Sequence, residues 1–571
     1  MENEESNLNK LADTVKQSEL KANDANKQRE EIHKKIWDIA NSLRGSVDGW
    51  DFKVYVLTIM FYKYLSQKLI NAFKKESTPV DYANMDDEKA LSKKDQIVNK
   101  FGFFIKPSEL FCNVVKKAPE DKELNIHLLD IFKHIEDYVK NSPTFDNFKG
   151  LFADFNLNKL VGNKSDNTKD INQKLVDLLQ KIDEMQIGSY DQANVDPFGD
   201  AYEFLISMYS SNAGKSGGEF FTPQEVSNLL MRLAISNFKN PATEINRIYD
   251  PACGSGSLLL QAIKLLGKDN SASLTLKGQE INSTTYNLCR MNMFLHDVSP
   301  SNFKIANADT LIDPKFKDEV ENGKKFDIIV SNPPYSIKWV GKDDPTLIND
   351  PRFAPAGELA PKTKADLAFI MHALYYLNEK GTACIVCFPG ILYRGGAEKK
   401  IREYLINNGY IDCIIQLPMN LFFGTGIATD IMVLRKNRNN SDEILFIDAS
   451  NEFIKVKNNN KLTDDNINKI VAIYHDKKDV PYIAKMVKVD VIKENDYSLN
   501  VAKYVEKKDE TPKIDINKLN AKIAEIVKKS DELRQAINEL TENIKITDSN
   551  NSNGDANNQP SNEELKDDDN N

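Results

Sequence analysis

Strand-like runs recur through the middle of the chain, and helical patterns separate most of them. This alternation predicts a doubly wound, Rossmann-like α/β sheet with helices on both faces. The predicted strands span residues 246–250, 274–280, 303–309, 326–332, 381–388, 411–417 and 429–435. In such a sheet, ligands bind at the carboxyl ends of the strands, so we expect the functional residues there.

The residues before the predicted sheet carry apolar side chains at helical spacing. They predict an all-helical N-terminal domain over residues 31–185, in which no motif indicates catalysis. The sheet domain is predicted to span 186–510. Residues 1–30 are charged and nearly free of large apolar side chains, so we expect a polar arm that is either mobile or a solvated helix.

A heptad pattern follows the sheet domain and predicts a coiled-coil-like helix over residues 511–545. Its apolar seam should dock on a partner helix, although packing against its own N-terminal domain is an alternative. Residues 546–571 are acidic and almost without apolar side chains, so a disordered tail is predicted. The seam, with Ser530 in its vacant position, consists of Ile516, Leu519, Ile523, Ile526, Leu533, Ile537, Leu540 and Ile544.

A glycine turn follows the first predicted strand, where the sequence reads DPACGSGSLLL from Asp250. Gly254 and Gly256 suit a tight turn into a helix that Ser255 or Ser257 would cap. Such turns indicate a nucleotide site, but they also occur wherever a strand packs closely on a helix. The Gly-Lys-Ser/Thr of a phosphate loop is missing here, so the ligand need not be a nucleoside triphosphate.

Three acidic residues close successive predicted strands, one β-α repeat apart, and should line one rim of the sheet. Glu280 follows the second strand, where a carboxylate suits both ribose hydroxyls of a nucleoside. Asp250 could face an ammonium group, and Asp309 could face an adenine amine. The alternative is that all three are solvated strand-end acids.

A second motif, GGEFFTPQE, precedes a predicted helix. Thr222 to Glu225 fit a capping box, with Pro223 at the first helical position. A helix N-terminus attracts a carboxylate, although an ordinary well-capped helix would look the same. A ligand that has adenine, ribose, ammonium and carboxylate groups is S-adenosylmethionine, which we therefore expect as the cofactor.

The strand at 326–332 ends in Asn332, Pro333, Pro334 and Tyr335, and the prolines stop the sheet ladder there. The exocyclic amine of adenine is a poor nucleophile, and two hydrogen-bond acceptors could localise its lone pair. The Asn332 side-chain oxygen and the Pro333 carbonyl could be those acceptors. Tyr335 could stack on a base flipped out of the duplex, whereas the alternative is a plain surface turn.

The order GGEFFTP, DPACGSG, GQE and NPPY resembles that of N6-adenine DNA methyltransferases. DPFGDAYEFLI, DPRFAPAGELAPKTKADLAFIMHAL and LPMNLFFGTGIATDIMVLRK are similar to the modification subunit of type I restriction-modification systems, over roughly residues 31–545. The family often has Tyr where this chain has Phe221, whose ring has no hydroxyl to make a contact. Phe422 or Phe423 is a candidate for a second ring stacked on the target base, or a core aromatic.

The resemblance implies that Asn332 to Tyr335 hold the target adenine. It also implies contacts between S-adenosylmethionine and Glu219, Phe220, Phe221, Thr222, Pro223, Gln224, Gly254, Ser255, Gly256, Ser257 and Glu280.

The resemblance also implies partners, which are double-stranded DNA and a complex of two modification subunits with one specificity subunit. The resemblance also allows a restriction or translocase subunit as a partner, but the sequence does not tell whether one is present. The formal net charge is −10, which argues against a chain that binds nucleic acid by itself through a broad basic face. The alternatives are a stand-alone adenine methyltransferase, an enzyme that methylates protein glutamine amides, and an inactive scaffold.

Six cysteines in 571 residues do not make a disulfide framework. Cys384 and Cys387 form a C-x-x-C, but on a strand their thiols should point to opposite faces, so core cysteines are expected. The scattered histidines do not have metal-ligand spacing, and no metal is expected. No window offers the roughly 18 uninterrupted apolar residues of a membrane span, so a cytoplasmic protein is predicted.

Overall fold

The computed structural model describes residues 30, 33–34, 51–76, 79–157, 168–185, 197–212, 222–267, 273–422, 426–438, 442–456, 459–507 and 515–548. None of the helices in these ranges is long and apolar enough to cross a membrane. The predicted N-terminal arm and acidic tail lie almost entirely outside them. The described helices are α1 Asp51–Lys74, α2 Asp87–Leu91, α3 Lys94–Phe101, α4 Phe111–Lys117, α5 Leu124–Tyr138, α6 Phe145–Phe148, α7 Thr168–Glu184, α8 Pro197–Asn212, α9 Gln224–Ile235, α10 Pro241–Glu244, α11 Ser257–Leu266, α12 Ser283–Leu295, α13 Lys317–Glu321, α14 Asp366–Tyr376, α15 Ala397–Asn407, α16 Asp464–Asp476, α17 Val489–Glu494 and α18 Ile516–Asp548.

One nine-stranded mixed sheet forms the centre of the molecule, in the order β11-β8-β6-β7-β5-β4-β1-β2-β3, and β9 and β10 form a separate hairpin. The seven predicted strands are all present as β1 to β7, although β5 begins earlier and β3 ends earlier than predicted. The strands are β1 Arg247–Asp250, β2 Thr275–Glu280, β3 Phe303–Asn307, β4 Phe326–Ser331, β5 Leu377–Cys387, β6 Ile411–Gln416, β7 Asp430–Arg435, β8 Glu443–Asp448, β9 Ile454–Val456, β10 Asn459–Lys461 and β11 Ala484–Lys488.

The sheet is covered on both faces, which confirms the doubly wound architecture. Along β4, Ile328 and Val330 belong to one buried cluster, whereas Ile329 between them belongs to the other. Cys384 and Cys387 on β5 divide between the same two clusters, so their thiols do point to opposite faces. Both are free and buried. Alternation of this kind places successive side chains of a strand in separate cores.

The helical N-terminal region packs directly on the sheet-containing region through α12. Arg290 on α12 is 1 % exposed, and its Nη1 donates to the Lys149 carbonyl oxygen at 2.9 Å. From α1, the Tyr64 hydroxyl donates to the Phe294 carbonyl oxygen at 2.5 Å. Residues of both regions share one hydrophobic cluster. The helical region therefore supports a helix that begins three residues after the end of β2.

Residues 508–571 form a compact unit distinct from residues 1–507. Its described part is α18, a helix of 33 residues. Seven of the eight predicted seam residues have described side chains, and those of Leu519 and Leu540 are 45 % and 62 % exposed. The apolar seam of α18 is thus exposed to solvent.

Candidate active site

The candidate site lies where β1 and β4 run side by side in parallel. In the sheet, β2 and then β3 lie beyond β1, whereas β5 lies on the opposite side, next to β4. The strands that follow β1 and β4 in the chain are therefore added in opposite directions. A reversal of strand order at this point opens a crevice at the carboxyl edge, where open α/β sheets bind ligands. Asp250 ends β1 and Ser331 ends β4, and the Ser331 hydroxyl donates to Asp250 Oδ1 at 2.9 Å. The predicted cofactor strand and the predicted catalytic strand are therefore joined at their ends.

The Asp250 carboxylate is completely buried at this junction. Its Oδ1 also accepts from the Ala252 N–H at 3.0 Å, whereas its buried Oδ2 has no partner in the described part of the chain. Burial raises the pKa of Asp250 to about 7, although its two hydrogen bonds oppose the rise. An unsatisfied buried oxygen of this kind fits a cationic ligand group.

The glycine turn after β1 is held by the carboxylate at the end of β2. Glu280 Oε2 accepts from the Gly254 N–H at 3.0 Å, and Oε1 accepts from the Asn282 N–H at 2.9 Å. Gly254 and Gly256 both adopt positive φ, as the predicted tight turn requires. The predicted serine cap is wrong, because Gly256 itself occupies the position before α11 and no side chain caps that helix.

Thr222 contacts the turn that begins at Asn332 instead of capping a helix. The predicted capping box is wrong, because α9 begins at Gln224 and Pro223 precedes it without any side-chain cap. The Thr222 hydroxyl is buried and accepts from Asn332 Nδ2 at 3.0 Å. A side chain 110 residues away in sequence thus fixes one end of the Asn332 amide.

The other end of the Asn332 amide is occupied by Tyr335, whose hydroxyl donates to Asn332 Oδ1. The Pro333 carbonyl oxygen accepts no hydrogen bond in the described part of the chain. The chain turns sharply after Tyr335, since Ser336 has a φ of +50°. The Ser336 N–H donates to both carboxylate oxygens of Asp366, at 3.1 Å each, and Asp366 is 5 % exposed.

Asp366 at the start of α14 was not predicted as a site residue. The sequence shows the motif that contains Asp366, but the contact of Asp366 with Ser336 depends on tertiary structure.

Glu203 on α8 is a second residue that sequence reasoning missed. It is 3 % exposed, and it accepts a hydrogen bond from Gln224 Nε2 and two from Lys264 Nζ at 3.0 Å. Burial would raise the pKa of Glu203, but His296 and Lys264 outweigh it and lower the pKa to about 2. The carboxylate therefore stays charged and ties the start of α9 to α8 and α11.

Asp309 lies near the same edge but two residues beyond the end of β3, so it does not close that strand as predicted. Its Oδ1 accepts from the Leu311 N–H at 2.9 Å, and its side chain is half-buried.

Phe422 and Phe423 are the two candidates for a second ring stacked on the target base, and only Phe422 lies among the described residues. Phe422 is 3 % exposed and belongs to the hydrophobic core, so the core alternative holds and its ring offers no free face to a base in this structure. Phe423 lies outside the described residues, as do Glu219, Phe220 and Phe221.

Two family models match the chain. The model described as N-6 DNA methylase matches residues 193–513, and the model described as HsdM N-terminal domain matches residues 32–182. Together they span the helical region, the sheet and the whole of the site described above.

Curated relatives and solved structures agree with these models. The type I restriction enzyme MpnII methylase subunit of Mycoplasma pneumoniae is 50 % identical over 536 residues, which cover 91 % of this chain and 97 % of that protein. The MjaVIII methylase subunit of Methanocaldococcus jannaschii is 32 % identical, covering 82 % and 77 %. A solved type I restriction-modification methyltransferase subunit from Streptococcus thermophilus has a TM-score of 0.74 and 35 % identity, covering 84 % and 100 %.

Proposed function

This chain belongs to the N-6 DNA methylase family, among the methylase subunits of type I restriction enzymes, which are adenine-specific DNA methyltransferases. From that premise we propose that it transfers a methyl group from S-adenosylmethionine to the N6 amine of adenine in DNA. We further propose that a separate specificity subunit selects the sequence, with two copies of this chain to each specificity subunit.

The orientation of the Asn332 amide carries the proposal. Because Nδ2 donates to Thr222, Oδ1 is the end left to face a substrate amine, and the Pro333 carbonyl lies next to it in the chain. Two acceptors can take both N–H groups of adenine N6 and so localise its lone pair on nitrogen. The Tyr335 hydroxyl now donates to Oδ1, so a bound amine would displace that hydrogen bond.

The residues at the strand ends suit the proposed cofactor. Asp250 Oδ2, buried without a partner in the described part of the chain, fits the ammonium group. Glu280 fits the ribose hydroxyls, and a Cβ on Gly254 would meet no atom within 4 Å, which indicates open space beside the turn. We propose that Thr222, Pro223, Gln224, Ser255, Gly256 and Ser257, with Glu219, Phe220 and Phe221, complete this site.

When bound, S-adenosylmethionine supplies a methyl group activated by a sulfonium sulfur. Asn332 and Pro333 would orient the adenine amine that accepts this methyl group. The amine then loses one proton to solvent, which restores a neutral N6-methyladenine. Tyr335 supplies an aromatic ring beside the acceptors, on which an extruded base would stack.

Family membership argues against the glutamine-amide alternative, because the matched model and the relatives are DNA methylases. The stand-alone enzyme is distinguished from the partner-dependent one by assay. We expect the purified chain to methylate DNA weakly and without sequence preference, and the complex with its specificity subunit to methylate one defined sequence.

Asn332→Ala tests the chemical role of the amide. We expect the variant to lose more than nine-tenths of the methyl-transfer rate, because one acceptor for the amine is gone. Cofactor affinity measured by calorimetry should stay within about threefold of wild type, a difference below 1 kcal/mol, since Asn332 faces the amine. Retention of more than a tenth of the wild-type rate would refute the acceptor role.

Methylation-sensitive sequencing of native DNA, with and without the gene, identifies the target base. Loss of N6-methyladenine at one recurring sequence supports the proposal. An unchanged methylation pattern would contradict it.

A further inference from the structure

A buried arginine stands in the segment that links the catalytic turn to α14. Arg352 is 4 % exposed, and all five of its N–H groups donate hydrogen bonds. Nε and Nη2 donate to the two carboxylate oxygens of Asp350 at 3.0 and 2.8 Å. Nη1 donates to the Thr310 carbonyl oxygen at 3.0 Å, and Nη2 donates to that of Leu311 at 2.8 Å. The fifth bond joins Nη1 to His372 Nδ1 at 3.1 Å.

The histidine in this network is neutral and its tautomer is fixed. Burial, and then the charge of Arg352, lower the pKa of His372 well below its ordinary value. A guanidinium can only donate, so Nδ1 of His372 must be the acceptor and Nε2 must carry the hydrogen. Nε2 lies 3.2 Å from the Tyr249 hydroxyl on β1. Arg352 is therefore held by Asp350 on one side and by His372 on the other, and His372 in turn contacts Tyr249 on β1.

The two carbonyl oxygens that Arg352 binds belong to the segment just after Asp309. Within that segment, Asp309 Oδ1 accepts from the Leu311 N–H, and the Thr310 hydroxyl donates to the Pro251 carbonyl oxygen at 2.5 Å. Asp309 Oδ2 accepts no hydrogen bond in the described part of the chain. Residues 309–311 are thus clamped between the turn after β1 and Arg352, with one carboxylate oxygen left for a ligand.

We propose that Arg352 is a positioning residue that fixes residues 309–311, so that the Asp309 carboxylate receives the adenine amine of the cofactor. The inference rests on the proposed function, because it assumes that the cofactor adenine binds at this rim. Lysine cannot replace this arginine, since its three N–H groups cannot hold a carboxylate in a fork and also reach two carbonyls. The segment after the catalytic turn thereby shapes the cofactor site as well.

The test is calorimetry on the full-length chain with two ligands. One is S-adenosylhomocysteine, and the other is the same compound with hydrogen in place of the adenine 6-amino group. Wild type should prefer the amino compound by about tenfold, the contribution of one hydrogen bond to a carboxylate. In Arg352→Lys this preference should fall below about threefold, and Asp309→Ala should lose it as well. The variant with both changes should lose no more of the preference for the amino compound than either single variant, because both changes remove the same contact.

Arg402→Lys is the matched control. Arg402 is also buried, and it donates to the carbonyl oxygens of Ile391 and Tyr497, outside the cofactor rim. This variant should keep the wild-type preference for the amino compound even where its thermal midpoint falls. If Arg352→Lys does not fold, Asp350→Asn provides the same test, because it loosens Arg352 at a side chain that is 16 % exposed.

The outcomes separate the inference from the proposed function. A wild-type chain that binds neither ligand refutes the proposed function itself. A wild type that binds both equally, or an Arg352→Lys variant that keeps the full preference while Asp309→Ala loses it, refutes the inference alone.

Discussion

At the scale of single residues, the Thr222 hydroxyl holds one end of the Asn332 amide, whose other end we propose faces the substrate amine. An asparagine amide has a donor end and an acceptor end of nearly the same shape, and only its partners distinguish them. The Thr222 hydroxyl accepts from Asn332 Nδ2, and we propose that Oδ1, which accepts from the Tyr335 hydroxyl in this structure, is the end that accepts from the amine. Without the Thr222 hydroxyl, the Asn332 amide could rotate by about 180°. Its NH2 group would then face the N–H groups of the substrate amine, and two donors cannot form a hydrogen bond.

Thr222→Val should therefore slow methyl transfer at saturating cofactor by about tenfold, the effect of losing one hydrogen bond near 1.4 kcal/mol. Valine keeps the shape of threonine but cannot accept a hydrogen bond. Thr222→Ser keeps the hydroxyl and should stay within about threefold of wild type. Single-turnover rates on a methylatable duplex give the comparison, and equal rates for the two variants would show that the hydroxyl does not orient Asn332.

The buried Asp250 predicts a pH dependence of cofactor binding. Because the pKa of Asp250 is raised to about 7, the ligand-free protein holds this group mostly protonated below that pH. The carboxylate attracts an ammonium group only when ionised, so affinity should rise with pH. Between about pH 6 and pH 8, the affinity for S-adenosylhomocysteine should increase roughly tenfold, in proportion to the ionised fraction.

An analogue of S-adenosylhomocysteine that lacks the α-amino group of its amino-acid part should show no such increase in affinity. Asp250→Asn should abolish the increase for S-adenosylhomocysteine itself. The sign follows from linkage, since a ligand that favours the ionised form binds better where the proton has already left. Calorimetric titrations in matched buffers measure the effect, and a flat profile for wild type would exclude an ammonium contact at Asp250.

Sequence reasoning identified candidate site residues by type, but it could not assign their contacts. The Asn-Pro-Pro-Tyr motif was recognisable because prolines must end the strand, and β4 does end at Ser331. The local capping rule predicts Thr222 as part of a helix cap, whereas its contact with Asn332 depends on tertiary structure. Glu203 and Asp366 lie in motifs that the sequence shows, but their contacts do not follow from those motifs, since their partners become neighbours only in the folded chain.

At the scale of elements, the turn between β1 and α11 contains two glycines with different surroundings. A Cβ on Gly256 would lie 2.6 Å from Met293 Cε and 2.8 Å from Cys289 Sγ, whereas a Cβ on Gly254 would meet nothing within 4 Å. Both have positive φ, so either alanine costs about 1 kcal/mol in backbone strain. Gly256→Ala should lower the free energy of unfolding by about 1–3 kcal/mol more than Gly254→Ala does, because α12 packs against Gly256.

Denaturant unfolding of the two alanine variants measures this difference in free energy. Gly254→Ala should instead weaken cofactor binding, since its Cβ would enter the open space beside the turn. Equal losses of stability in both variants would show that packing against Cys289 does not constrain Gly256.

The strands were predictable as elements, but their order and direction were not. All seven runs gave strands because their apolar patterns were strong enough to be recognised one at a time. β7 lies antiparallel between β5 and β6, although it follows β6 in the chain. Such insertion depends on pairing between distant strands, which a local pattern does not encode. β8 and β11 extend the sheet beyond the predicted strands.

At the scale of the whole molecule, α18 has an apolar face that is exposed along its described length. Ile526 and Leu533 in the predicted seam are 64 % and 65 % exposed. Burying one such side chain in a helix–helix interface contributes about 1.5–3 kcal/mol, so a seam of this length can hold a complex together. The exposed face favours a partner helix, and in this family we propose that the specificity subunit supplies it.

Removal of residues 511–571 should therefore abolish assembly with the specificity subunit and leave S-adenosylhomocysteine binding at the wild-type level. A sharper version replaces Ile526 and Leu533 by aspartate, which puts two charges in the seam. The control places aspartate at Lys528 and Gln535, on the opposite face of the same helix, and should assemble normally. Co-purification reports assembly, and methylation of a defined site reports function. Site-specific methylation by the truncated chain alone would refute partner dependence and identify a stand-alone enzyme.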